Sequence, residues 1–155
     1  MNPLKILSEK QKKEIEKKLN EQFGISNIPG KIVMRGGERL FLYSGNLDEK
    51  EIRYLEETVF VERVGIYFAK IEESGEIRLS IEGTQILGEQ IKRNIFTLDA
   101  EQLEKWMTGS ELNIKSGMKG FVVIKYKNEF LGTGKASEEK ISNFIPKNRR
   151  LKEKN

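Results

Sequence analysis

The stretch "KGFVVIKYKNEFLGTGKA", residues 119–136, limits the possible folds more than any other part of this chain. Its β-branched and aromatic residues favour extended backbone, and turn residues at Asn128-Glu129 break the run in two. Two strands joined this tightly pair antiparallel. Gly132 and Gly134 in the second strand remove side chains where a strand bends, bulges or admits another backbone. "KISNFI" adds a third short run after a turn near Glu138-Glu139. The final third is therefore expected to form a small barrel or curled sheet.

The "GTGKA" within this stretch invites comparison with a phosphate-binding loop, G-x-x-x-x-G-K-[ST]. Two positions are wrong: Glu129 stands where the first glycine belongs and Ala136 where the hydroxyl belongs. The following "SEEKISNF" is too short and β-like to supply the helix N-terminus that such a loop needs. The two glycines read instead as the bend of a barrel strand.

Upstream, Ser8 and Gln11 form an S-x-x-Q capping box, and Ile15 and Leu19 give the apolar stripe of a helix that Gly24 ends. Lys12, Lys13, Lys17 and Lys18 read as its solvated face. "KIVMRGGERLFLYSG" predicts a hairpin turning at Gly36-Gly37. A short helix is expected in "NLDEKEIRYLEE", with Asn46 or Asp48 as cap and Ile52 and Leu55 inward, followed by two strand regions turning at Ser74-Gly75. Asn94 to Leu98 reads as a short strand. Asp99 and Gln102 then open a second capped helix that carries Trp106 into the core and ends before Gly109. The class is α+β, with a mixed α/β unit over residues 1–88 and a small β pseudobarrel over 89–155. "PKNRRLKEKN" reads as a basic tail.

Composition removes much chemistry. Among the 155 residues there is no cysteine and no histidine, so thiolate nucleophiles, disulfides and the usual general base and metal ligands are absent. The two aspartates, Asp48 and Asp99, sit at helix caps, and the glutamates show no metal-ligand spacing. No catalytic residue, metal site or cofactor is expected. No apolar run approaches a membrane span and no secretory h-region opens the chain, so a cytoplasmic, globular protein is expected.

Charge is uneven. Residues 1–44 carry nine basic and five acidic side chains, 45–111 eight and fifteen, and 112–155 eleven and four. A basic final third attracts a polyanion to one end of the molecule. Lys115, Lys119, Lys125, Lys135, Lys147, Arg149 and Arg150 are the candidate phosphate contacts, with Lys127 and Lys140 nearby in sequence. Tyr126 and Phe144 are candidates for base stacking, although aromatic residues on strands more often belong to the core.

The order "WMTGSELNIKSGMKGFVVIKYKNEFLGTGKASEEKISNFIPKNRR" is similar to the PUA-type RNA-binding domain, named for pseudouridine synthases and archaeosine transglycosylases. It most resembles the PUA-like domain at the C-terminus of the Nol/Nop/Sun RNA cytosine methyltransferases and their stand-alone archaeal relatives. The shared features are a helix ending at Gly109, two adjoining strands with a glycine bend, and a terminal strand running into "IPKNRR", over roughly residues 89–152. The resemblance implies a pseudobarrel that binds structured RNA through the face lined by the helix, the glycine-containing strand and the basic end. Those methyltransferases attack cytosine with a cysteine and hold S-adenosylmethionine in a separate Rossmann-like domain. This chain has no cysteine, no G-x-G-x-x-G and no room for such a domain, so it resembles the accessory domain alone.

The expected function is therefore non-catalytic binding of tRNA or rRNA in support of RNA modification or ribosome biogenesis, with an RNA-modifying enzyme or ribosomal protein as partner. The alternative is a protein-interaction adaptor whose acidic centre docks a basic partner and whose RNA contact is incidental.

Overall fold

In the computed structural model, Ser8 and Gln11 cap the first helix reciprocally: Gln11 N–H donates to Ser8 Oγ at 3.2 Å and Ser8 N–H to Gln11 Oε1 at 2.9 Å. The structure describes residues 4–44, 48, 50–52 and 65–152. Helix α1 (Glu9–Phe23) buries Ile15, Leu19 and Phe23 along one face and ends where Gly24 takes a left-handed φ of 82°. Two of its lysines are fastened to backbone: Lys12 donates to the Gly30 carbonyl at 2.6 Å and Lys18 to that of Gly75 at 3.1 Å.

The first unit, residues 1–78, is built on a sheet of order β1-β2-β3-β4-β5, comprising β1 (Leu4–Ile6), β2 (Lys31–Arg35), β3 (Arg39–Tyr43), β4 (Ile66–Ile71) and β5 (Ile77–Leu79). Gly36 and Gly37, at φ 68° and 76°, turn the β2–β3 hairpin as their sequence requires. Ile32 and Val33 are adjacent and both buried, as are Leu40 and Phe41, so this sheet is covered on both faces. The side-chain amide of Gln22 mimics a strand, donating to Ile77 C=O at 2.9 Å and accepting from Ile77 N–H at 2.8 Å. Burial beside Phe41 raises the Tyr67 phenol above its ordinary pKa. Asp48 caps a turn that buries Ile52, accepting from Glu51 N–H at 2.8 Å. Asn46, Leu55 and residues 59–64 of the expected helix and strand lie outside the described residues.

The second unit, residues 79–155, holds α2 (Ile81–Ile86), β6 (Ile95–Thr97), α3 (Ala100–Met107), β7 (Gly120–Tyr126), β8 (Glu129–Ala136) and β9 (Ile141–Asn143). Its sheet order is β6-β7-β8-β9, with β6 parallel to β7 and the other pairs antiparallel. Asp99 and Gln102 form the expected capping box of α3. The tight turn falls at Lys127-Asn128, one residue before its expected place, because Tyr126 pairs directly with Glu129. Lys127 takes a φ of 51° there.

The glycine bend is a bulge. Val123 pairs with Thr133 but Lys125 with Phe130, so two steps along β7 match three along β8. Gly132 absorbs the extra residue at φ 94° and turns its N–H to Thr84 Oγ1 at 3.0 Å. Thr84 in turn donates to Ile81 C=O at 2.7 Å, and Thr133 donates to Leu79 C=O at 2.8 Å. These two buried threonines fasten residues 79–87 to β8, so the division between the units lies ahead of Gly88.

Gly134 has a different task. A Cβ built on it would lie 2.8 Å from Trp106 Cη2 and 2.9 Å from Ser142 O, so glycine is what lets the fully buried indole reach the sheet. Around Trp106 gather Leu98, Leu112, Val122, Ile124, Ala136, Ile141 and Ile145. The Asn143 amide closes the end of α3, donating to Trp106 C=O at 2.8 Å and Ser110 C=O at 3.0 Å while accepting from Ile145 N–H at 2.8 Å.

Asn143→Ala leaves two carbonyls and one N–H without these partners and is expected to destabilise the second unit by about 2–3 kcal/mol. Urea unfolding checks it, and an unchanged midpoint contradicts the role given to this amide.

Candidate nucleic-acid interface

The net charge belongs to one unit. Residues 1–78 carry fourteen basic and fourteen acidic side chains, whereas residues 79–155 carry fourteen and ten, so the whole +4 lies in the second unit. Long-range attraction of a polyanion therefore acts on that unit.

Its topology sorts the cations by sheet end. Lys119 precedes β7, Lys135 lies at the end of β8 opposite Phe121, and Lys140 precedes β9, so all three meet at one end of the sheet. Lys115 joins this end through Glu139 at 3.9 Å, and Lys140 pairs with Glu111 at 2.8 Å. Because β6 runs parallel to β7, with Ile95 beside Val123, the exposed Lys92 that leads into β6 reaches the same end. Lys92 is a candidate that sequence reasoning missed; it falls within the acidic middle of the chain, and only the parallel pairing brings it to this group. Lys135 lies 5.5 Å from the Phe121 ring, whose own neighbour is Phe144 at 6.1 Å.

The other candidates lie elsewhere. Lys125 is at the far end of β7, its ammonium 5.3 Å from the Phe130 ring. Beyond β9 the chain takes a 3-10 turn over Lys147–Arg149. Arg149 forms an ion pair with Glu82 in the first turn of α2. Arg150 donates from Nε to Ile145 C=O at 2.9 Å and packs over Gly109, where any Cβ would collide with its guanidinium. Leu151 N–H donates to Met107 C=O at 2.8 Å, so this end of the expected tail is fastened to α3. Lys147 is exposed.

The seven candidates therefore divide. Lys115, Lys119 and Lys135 share one end of the sheet; Lys125, Lys147, Arg149 and Arg150 do not join them. Of these, Lys119, Lys125, Lys135 and Lys147 offer ammonium groups with no carboxylate salt-bridge partner among the described residues. Such point charges suit phosphate contacts. Tyr126 is partly buried against the Trp106 cluster, with the Lys127 ammonium 5.4 Å from its ring. Among the described residues no three His, Cys, Asp or Glu side chains come together as a metal site, and no helix is long and apolar enough to cross a membrane.

Arg150→Ala is expected to lower the thermal midpoint, by about 1 kcal/mol of stability through removal of its hydrogen bond and packing, while Lys147→Ala leaves it unchanged. Equal midpoints for the two variants contradict this division of roles.

Comparison with known proteins bears on the same region. Residues 93–151 match the family model described as "Methyltransferase RsmF PUA domain". A ribosomal RNA small subunit methyltransferase F of Psychromonas ingrahamii is 30% identical over 135 residues, which span 81% of this chain and 26% of that protein. The proteins of that name from two strains of Vibrio vulnificus are 23% identical over 147 residues, 94% of this chain and 29% of theirs. These alignments run well outside residues 93–151, into the first unit. The chain spans between a quarter and three tenths of the length of these relatives. Over residues 93–151, this chain is similar to the PUA domain of ribosomal RNA small subunit methyltransferase F proteins.

Proposed function

We propose that this chain is a non-catalytic RNA-binding protein whose second unit holds structured RNA, tRNA or rRNA, and that it assists RNA modification or ribosome assembly in the cytoplasm. The observation that carries this reading is the coincidence of the PUA match at residues 93–151 with the unit that holds all of the net positive charge. The relatives' names make small-subunit rRNA the first RNA to test. Lys119 and Lys135 contact phosphates, with Lys92 beside them, Lys147 and Arg150 widen the basic surface, and Lys115 and Arg149 add to it once RNA competes for Glu139 and Glu82. An RNA-modifying enzyme or a ribosomal protein works alongside it. The 155 residues contain no cysteine to attack a cytosine ring, which supports a binding role rather than methyl transfer.

Filter binding to small-subunit rRNA fragments and to tRNA across a salt series tests the reading. Affinity should fall linearly on a log–log plot, and Lys119→Ala with Lys135→Ala should flatten the slope by about 1.4–1.8, at roughly 0.7–0.9 for each phosphate that is no longer neutralised. Binding that is weak and insensitive to salt sinks the RNA reading. A normal slope that the double variant leaves unchanged places the RNA on another face.

A further inference from the structure

The two outer strands of the second sheet are finished differently. At β9, Ile141 N–H donates to Leu112 C=O at 2.9 Å and Ile141 C=O accepts from Leu112 N–H at 3.0 Å, so that edge is closed. At β6, Asn94 C=O accepts from Val123 N–H and Leu98 N–H donates to Lys125 C=O, each at 2.7 Å. The even-numbered positions therefore face β7, and Ile95 and Thr97 turn their N–H and C=O groups to the outer edge. Among the described residues no hydrogen bond reaches those groups. Thr97 is exposed and Ile95 half-buried.

An open edge recruits another strand, and proteins commonly blunt it with charge on the strand itself. Here the strand residues Ile95, Phe96 and Thr97 are uncharged. The charges stand at the two ends with opposite sign, Lys92 and Arg93 before the strand and Asp99 and Glu101 after it. Glu101 is exposed, and its contact with Lys105 is a long one at 3.9 Å. A copy laid parallel to β6 would set like charges together. A copy laid antiparallel sets each basic end against the other's acidic end.

We propose that β6 is the docking edge for a second copy of this chain, the two strands pairing antiparallel about a two-fold axis at Phe96. Ile95 then exchanges both backbone hydrogen bonds with Thr97 of the second copy, and Thr97 does the same with its Ile95. The sheet continues from one copy into the other. A two-fold contact needs a self-complementary surface, which the order of charges across β6 supplies. The proposal stands on the second sheet alone and is independent of the RNA reading.

Sedimentation equilibrium across a concentration series tests it. The mass should rise from 17.9 kDa toward twice that value as the concentration approaches about 1 mM, where weak pairings become populated. Thr97→Pro removes an outward N–H that the β6–β7 ladder does not use, so the variant should fold, as circular dichroism checks, yet stay monomeric. Lys92→Glu should raise the dissociation constant about tenfold, because the two-fold axis counts the change twice. Adding Glu101→Lys to it should restore the dimer. A mass of 17.9 kDa at every concentration overturns the proposal. So does a dimer that Thr97→Pro and Lys92→Glu leave intact, or one weakened by Lys92→Glu that Glu101→Lys does not restore.

Discussion

The seating of Trp106 against the backbone of Gly134 is the contact on which the second unit depends. The indole is fully buried, and a side chain on Gly134 would collide with it, so helix and sheet approach as closely as they do only because that position is glycine. The position of α3 in turn fixes the C-terminal segment. Asn143 at the end of β9 can reach the carbonyls of Trp106 and Ser110, and Leu151 can reach that of Met107. The segment bearing Lys147, Arg149 and Arg150 is thereby placed by core packing and backbone hydrogen bonds, with its charge playing a secondary part.

The bulge one residue pair away works by a different balance. Inserting a residue into β8 takes the Gly132 N–H off the β7–β8 ladder, and a buried donor without a partner costs about 1–3 kcal/mol. Thr84 Oγ1 supplies the partner, and the same hydroxyl gives its proton to Ile81 C=O, so it is satisfied in both directions. The bend that curls the sheet and the attachment of α2 are thus one device.

Legibility from sequence tracked the range of the interaction. Capping boxes at Ser8 and Asp99, the Gly36-Gly37 turn and the paired strands around Gly132 are written within a few residues, and each was readable. The attachment of residues 79–87 to β8 was not, because Thr84 and Gly132 are 48 residues apart and neither carries a local signal of the other. Lys92 was passed over for the same reason: its place beside Lys119 depends on a parallel pairing that no turn residue announces. The basic residues were legible as a count but not as a surface. Glu82, Glu111 and Glu139 come from distant or loop positions to pair with Arg149, Lys140 and Lys115, and sequence neighbours do not reveal such partners.

The central claim is that RNA is held by the second unit, on the sheet end carrying Lys119 and Lys135. Ultraviolet crosslinking of the chain to small-subunit rRNA fragments, with peptide mass spectrometry of the products, tests it most directly. The account predicts crosslinked peptides within residues 79–155, including those that contain Lys119 or Lys135. Crosslinks concentrated in residues 1–78 would contradict it.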